Sequence, residues 1–258
     1  MRNSFLTSLL LTLSLMAQSG MAAEKEQAFG DEFEAEFSDT ADEELFDPLS
    51  GYNRMMTGFN DTVYTSLLFP VARGYEHVVP SEGRQAVNRF FINLHFPVRF
   101  VNNLLQLKIV NSGEELARFA VNTTLGIGGF FDPASTWLGL TPHPEDFGQT
   151  LGHYGAGGGF HIVWPLLGPS NLRDSLGMLS DWYIDPANYV GGRGYYFGGR
   201  GYNTFENGNE SFLAESFELL NKTSLNYPQY ESLKKDAVDL YPFFRNIYEQ
   251  SRNKAIEE

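Results

Sequence analysis

Residues 147–174 read FGQTLGHYGAGGGFHIVWPLLGPSNLRD. A histidine, a tyrosine and a run of glycines stand just before a short, very apolar segment, and their reading separates an enzyme from a binding protein. A phosphate loop needs Lys-Ser/Thr after its glycines, or a strand–turn–helix frame around G-x-G-x-x-G. Here Phe160 and His161 follow the glycines. His153 as a general base needs a nucleophile and an orienting carboxylate. Asp146 and His161 are near in sequence, but no G-x-S-x-G elbow occurs. A structural histidine bonded to backbone is the plainer reading. What glycine does supply is positive φ and close backbone approach. Beside FHIVWPLLG, residues 160–168, that suits a movable apolar lid or a fixed turn, and the residue types leave both open.

The sequence around this stretch is helical in pattern. Upstream, Asp47-Pro48 reads as an N-cap and first helical residue. Leu49, Tyr52, Met55, Met56, Phe59 and Val63 then recur at steps of three and four. Pro70 should bend or end that helix, and Pro80 should end its continuation. Ser81 opens a second helix, with Val87, Phe90, Phe91 and Leu94 on one face, and Pro97 a third. Ser112 with Glu115 forms a capping box for a fourth, which the glycines of LGIGGFFDP, residues 125–133, terminate. Asp132-Pro133 starts a short helix through Trp137.

Downstream, Ser170 or Asn171 caps a helix carrying Leu172, Leu176 and Leu179. Residues 185–209 are rich in glycine and tyrosine, contain GGRGY twice, and read as a loop or loose hairpin. Helices return near 210–221 and 229–250, and the polar tail 251–258 is expected to fray. The βαβ rhythm of a nucleotide-binding sheet is absent. The expectation is one all-α domain over residues 47–250.

Composition narrows the class further. The chain has no cysteine, which excludes disulfides, thiolate nucleophiles, cysteine zinc sites and cysteine acylation within this sequence. Its five histidines form no H-E-x-x-H or similar ligand pair, so no metal site and no cofactor are expected. Residues 1–23 have Arg2, an apolar run and then small residues, the form of an export signal. Residues 24–44 carry ten acidic residues against Lys25 and read as a disordered lead over 24–46, either a solvated tether or a spacer repelling anionic headgroups. The formal charge of −14 argues against nucleic acid as a partner. No later stretch is long and apolar enough to span a bilayer.

Three blocks carry a resemblance. DPLSGYNRMMTGFN (47–60), VNTTLGIGGFFDPAS (121–135) and the stretch quoted first together resemble the MlaA family, also called VacJ lipoproteins. That resemblance implies a ring-like domain of amphipathic helices with a glycine-hinged apolar hairpin, lying in the inner leaflet of the outer membrane around a central channel. It implies removal of mislocalised phospholipid from the outer leaflet, transfer to a periplasmic phospholipid carrier, association with a trimeric porin, and no covalent chemistry. Carried onto this chain, the lipid path falls on Tyr52, Met56, Phe59 and Asn60, against Leu151, Tyr154, Phe160, Ile162, Val163 and Trp164. Gly155, Gly157, Gly158 and Gly159 fall at the hinge. Members carry a lipobox cysteine where the signal ends; this sequence reads MAQSGMAAEK there. Attachment at the periplasmic face is then expected to rest on the apolar surface, a porin, or both. A porin-bound scaffold that carries no lipid is the alternative from another class, and a lipid hydrolase working through His153 is a third.

Overall fold

The computed structural model describes residues 47–189 and 208–258. The export signal, the acidic lead before Asp47 and the GGRGY repeat lie outside them. Residues from Pro48 to Glu258 form one unit by their contacts, and the described residues are overwhelmingly helical, with one two-stranded sheet.

Helix α1, Ser50–Val63, passes through a π-helical turn, Tyr64–Leu68, into α2, Phe69–Val78. Proline cannot donate to the carbonyl four residues back, and its ring crowds that carbonyl. The chain meets Pro70 with one wider turn immediately before it, so the helix carries on instead of stopping. The start also differs from expectation: 48–49 form a turn and Leu49, not Asp47, precedes the first helical residue. A proline φ suits a turn as well as a first helical turn.

Two further helices, α3 (Ser81–Leu94) and α4 (Phe96–Leu105), meet at His95. The next, α5 (Ile109–Thr124), begins three residues before the expected cap. Leu107, at φ +61°, makes a left-handed turn that restarts the helix early. Ser112 therefore sits inside α5 and donates to the Lys108 carbonyl. Glu115, freed from capping, is buried against Arg99 Nε at 2.8 Å and accepts the His143 N–H at 2.7 Å. Helices α4 and α5 pack on each other, with Phe96 and Phe119 stacked at 4.4 Å.

The short α6, Pro133–Leu138, is capped by Asp132 as its sequence predicts. Helix α7, Phe147–His153, has a reciprocal capping box from Asp146 and Gln149. Strands β1 (His161–Trp164) and β2 (Gly168–Asn171) pair antiparallel, from His161 opposite Asn171 to Trp164 opposite Gly168. Asn171 then caps α8, Leu172–Ile184, accepting from the Asp174 N–H at 2.8 Å. A 3-10 turn, Pro186–Tyr189, follows.

Helix α9, Gly208–Asp236, runs through Pro228 and packs on α2 and α3. Its Asn221 donates to the Arg84 carbonyl, and Arg84 donates to the Ser224 carbonyl. His95 joins three segments, bonding Asp185 at 2.8 Å and Glu218 at 2.9 Å. Burial opposes its charge, but those two carboxylates outweigh burial and push its pKa up to about 9.

Helix α10, Leu240–Glu257, packs on α7, α1 and β2. It does not fray at 251. Arg252 holds Asp146 with both terminal nitrogens, at 2.6 and 2.8 Å, and Asp174 with Nε at 2.9 Å, so the polar tail is tied down by long-range ion pairs.

Beside an apolar core that includes Phe69, Phe91, Phe96 and Val163, many polar side chains are buried and many large apolar ones are exposed. Among the described residues the largest fully buried side chains are Glu115, Asn53, Asn102, Asn103, Asn171 and Asn221. Leu107 and Val110, each 74% exposed, and Trp137, 70% exposed, stand outside. Ordinary water-soluble domains bury the second kind of residue and expose the first. No helix among the described residues is long and apolar enough to cross a membrane.

Candidate functional site: a latched hairpin on helix α1

A two-stranded hairpin leaves each outer edge with unpaired N–H and C=O groups. On the β1 side, α1 fills that edge with side chains. Asn53 accepts the Val163 N–H at 2.9 Å and donates to the His161 carbonyl at 3.0 Å. Two turns further on, Asn60 accepts the Leu166 N–H at 2.7 Å and donates to the Trp164 carbonyl at 2.9 Å. Each amide thus acts as a strand residue would. Seven residues is close to two helical turns, so both point the same way. Tyr64 adds a 2.7 Å bond to the Leu166 carbonyl. The hairpin tip is left-handed at Leu166, φ +64°, and Gly168, φ +86°.

The residues expected along a lipid path divide into three kinds. Tyr52 and Met56 are half-buried and Phe59 is exposed, along one side of α1. Asn60 is buried with both amide functions engaged, so it positions the hairpin. On the hairpin, Ile162 and Val163 are buried, whereas Trp164 is partly exposed with its indole N–H on Ser175 Oγ at 2.9 Å. Leu151 and Phe160 are half-buried. Tyr154 is exposed, and its hydroxyl donates to the Leu105 carbonyl at 2.6 Å, fixing the end of α7 against α4.

The glycine segment between α7 and β1 is uneven. Gly155 and Gly159 are left-handed, at φ +87° and +72°. A Cβ on Gly157 would meet nothing within 4 Å, whereas one on Gly158 would come 3.0 Å from Asn171 Nδ2. The Gly158 carbonyl accepts the Arg173 N–H at 3.1 Å, docking the end of the segment onto α8.

Beneath the hairpin lies a charged seat. Asp174 bonds Arg173, Arg252 and Tyr248. Burial pushes its pKa up, but these donors overcome burial and hold it below the usual carboxylate value. The pKa of Arg252 is raised by Asp146 and Asp174 against the opposing effect of burial. Asp181, on α8, accepts the Phe147 N–H at 3.0 Å and an Asn102 amide hydrogen at 2.8 Å, yet burial leaves it at about 6.

The two histidines near the glycines have separate surroundings. His153 is exposed with its ring edge-on to Tyr154 at 5.1 Å. His161 is buried with Nδ1 on Glu249 Oε1 at 3.0 Å. Among the described residues no group of three or more His, Asp or Glu is placed to hold a metal ion. Sequence reading missed Asn53, Asp174 and Arg252. The available signal was polar: an asparagine pair seven apart, close to two helical turns, on a helix that also carries Met56 and Phe59.

Comparison with known proteins gives this arrangement relatives. The MlaA lipoprotein family model matches residues 45–255. An uncharacterized protein of Rickettsia bellii is 31% identical over 215 residues, 83% of this chain and 78% of that one. The intermembrane phospholipid transport system lipoprotein MlaA of Escherichia coli K12 is 38% identical over 148 residues, 56% of this chain and 59% of that protein. The chain thus aligns with less than two thirds of the length of the E. coli protein. A solved structure described as the structural basis for maintenance of bacterial outer membrane lipid asymmetry matches with a TM-score of 0.64 and 28% identity, covering 81% of this chain and 98% of that one. With the match spanning nearly all described residues and the fold shared, the chain belongs to the MlaA lipoprotein family.

Proposed function

We propose that this protein moves phospholipid at the outer membrane, taking mislocalised lipid out of the outer leaflet and passing it through a central channel to a periplasmic carrier. It lies in the inner leaflet with its apolar side chains against acyl chains, and a trimeric porin is its neighbour there. The observation that carries this reading is the set of large apolar side chains left exposed. Leu107, Val110, Trp137, Leu167 and Tyr183 face outward, while Asn53, Asn102, Asn103 and Glu115 lie fully buried along with apolar residues such as Phe96 and Val163. Lipid tails tolerate the first set, and the second is bonded within the fold, Asn53 to the His161 carbonyl, Asn103 to the His143 carbonyl and Glu115 to Arg99.

In this reading α1 and the hairpin flank the lipid path. Tyr52, Met56, Phe59, Leu151, Tyr154, Phe160 and Trp164 contact lipid. Ile162 and Val163 back that surface, Asn60 holds it in register, and the segment with Gly155, Gly157, Gly158 and Gly159 lets it shift. The family name and that of the E. coli relative support lipid transport rather than covalent chemistry. Deleting the gene should raise the phospholipid exposed in the outer leaflet, read by a headgroup-reactive reagent on intact cells. An outer leaflet that stays unchanged removes the transport reading.

A further inference from the structure

A cleft of about 480 Å³ lies between α3 and the start of α6. Arg89 forms one side, Asp132, Ser135 and Thr136 the other, and Leu125, Phe131 and Trp137 the rim. Arg89 is out of keeping with the rest of the molecule. In an acidic chain, arginines such as Arg84, Arg99, Arg118 and Arg252 each hold a carboxylate. Among the described residues Arg89 holds none, and its contact is a 3.4 Å approach to Gln85 Oε1 one turn back. An unpaired guanidinium at the edge of a cleft favours an anion, above all a phosphate that accepts two N–H bonds.

The opposite side is fixed in advance. Arg118 donates to Ser135 Oγ and to the Leu140 carbonyl, each at 2.6 Å, and to Asp132 at 3.0 Å. Asn122 holds the other Asp132 oxygen at 2.9 Å and accepts the Ala134 N–H at 3.0 Å. Asp132 nevertheless keeps a quarter of its side chain open, at 25%. The cleft therefore presents an unpaired cation, the open quarter of a carboxylate already bonded by Arg118, Asn122 and Ser135, and a rim of large exposed apolar groups. A molecule with a phosphate, an ammonium a few bonds away and hydrocarbon beyond would satisfy all three.

We infer that this cleft is a headgroup subsite for a zwitterionic glycerophospholipid, with phosphate on Arg89, amine toward Asp132 and chains over Leu125, Phe131 and Trp137. The inference rests on the phospholipid reading above and adds a site and a headgroup class to it. It also gives the block 121–135 a task, since Leu125, Phe131 and the Asp132 cap line the cleft.

Binding to the purified full chain in detergent, by calorimetry, tests it. The probes are dihexanoyl phosphatidylethanolamine, dihexanoyl phosphatidylglycerol, O-phosphoethanolamine and inorganic phosphate. The ethanolamine lipid should bind tightest. Arg89→Gln should weaken it about tenfold or more, the size of a lost charged hydrogen bond, and Arg89→Lys should restore part of that. Trp137→Ala should weaken the lipid but not O-phosphoethanolamine. Equal binding by Arg89→Gln and the unsubstituted chain overturns the site. So does inorganic phosphate binding as well as lipid, or the glycerol lipid binding as well as the ethanolamine lipid. Lipid carried through purification, measured by mass spectrometry, separates the two claims. If the unsubstituted chain retains phospholipid and Arg89→Gln is indistinguishable from it, the cleft is wrong and transport stands; if the unsubstituted chain retains none, both fall.

Discussion

Two glycine loops in this molecule have nearly the same composition and opposite reasons for it. In LGIGG, residues 125–129, the backbone is pressed against its neighbours at Gly126 and Gly129. A Cβ on Gly126 would lie 2.5 Å from the carbonyls of Asn122 and Phe131, and one on Gly129, at φ +101°, would lie 2.8 Å from Asn93 Cγ. In GAGGG, residues 155–159, Gly155 and Gly157 open onto space, while Gly158 and Gly159 abut Asn171 and Leu172. The first loop uses glycine for proximity at Gly126 and Gly129 and for a left-handed backbone in open space at Gly128, φ +71°, the second for freedom at one end and docking at the other. The freedom a hinge requires is available at Gly155 and Gly157.

That contrast can be broken by substitution. Gly129→Ala adds both a clash and an unfavourable φ, and should cost about 3 kcal/mol in denaturant unfolding. Next in size, Asn60→Ala strands the Leu166 N–H and the Trp164 carbonyl and should cost about 2 kcal/mol. Its signature is faster hydrogen exchange in β1 with exchange unchanged across 125–129; a loss spread over both loops would mean they are one coupled element. Ile127 is left-handed, at φ +55°, within the crowded loop. Ile127→Gly should therefore stabilise the protein by about 1 kcal/mol, seen as a higher unfolding midpoint. Least of all, Gly157→Ala should change stability by under about 0.5 kcal/mol. Equal losses from Gly129→Ala and Gly157→Ala would erase the distinction.

Local chemistry made much of the fold legible. Asp132-Pro133 and Asn171 cap the helices they were expected to cap, because the cap and its amide lie three residues apart. Reading failed where a partner is distant. Ser112 and Glu115 fit a capping box, but one left-handed residue at Leu107 moved the helix start and Arg99 took the glutamate. The tail looked free because Arg252 meets Asp146 and Asp174 across 106 and 78 positions. In the candidate site, the apolar spacing of Tyr52, Met56 and Phe59 was visible. What Asn53 and Asn60 do was not, since an asparagine on a helix acquires that role only when a strand edge lies beside it. The crowding of Gly126 and Gly129 was equally hidden, being a property of Asn93, Asn122 and Phe131.

The outward-facing leucines, valines and tryptophans set a condition on the molecule's life before it reaches lipid. Large apolar side chains exposed to water invite self-association where they gather into a patch, and folding leaves these ones outside. On the proposed seat in a bilayer, passage through water calls for these side chains to be shielded until lipid takes over.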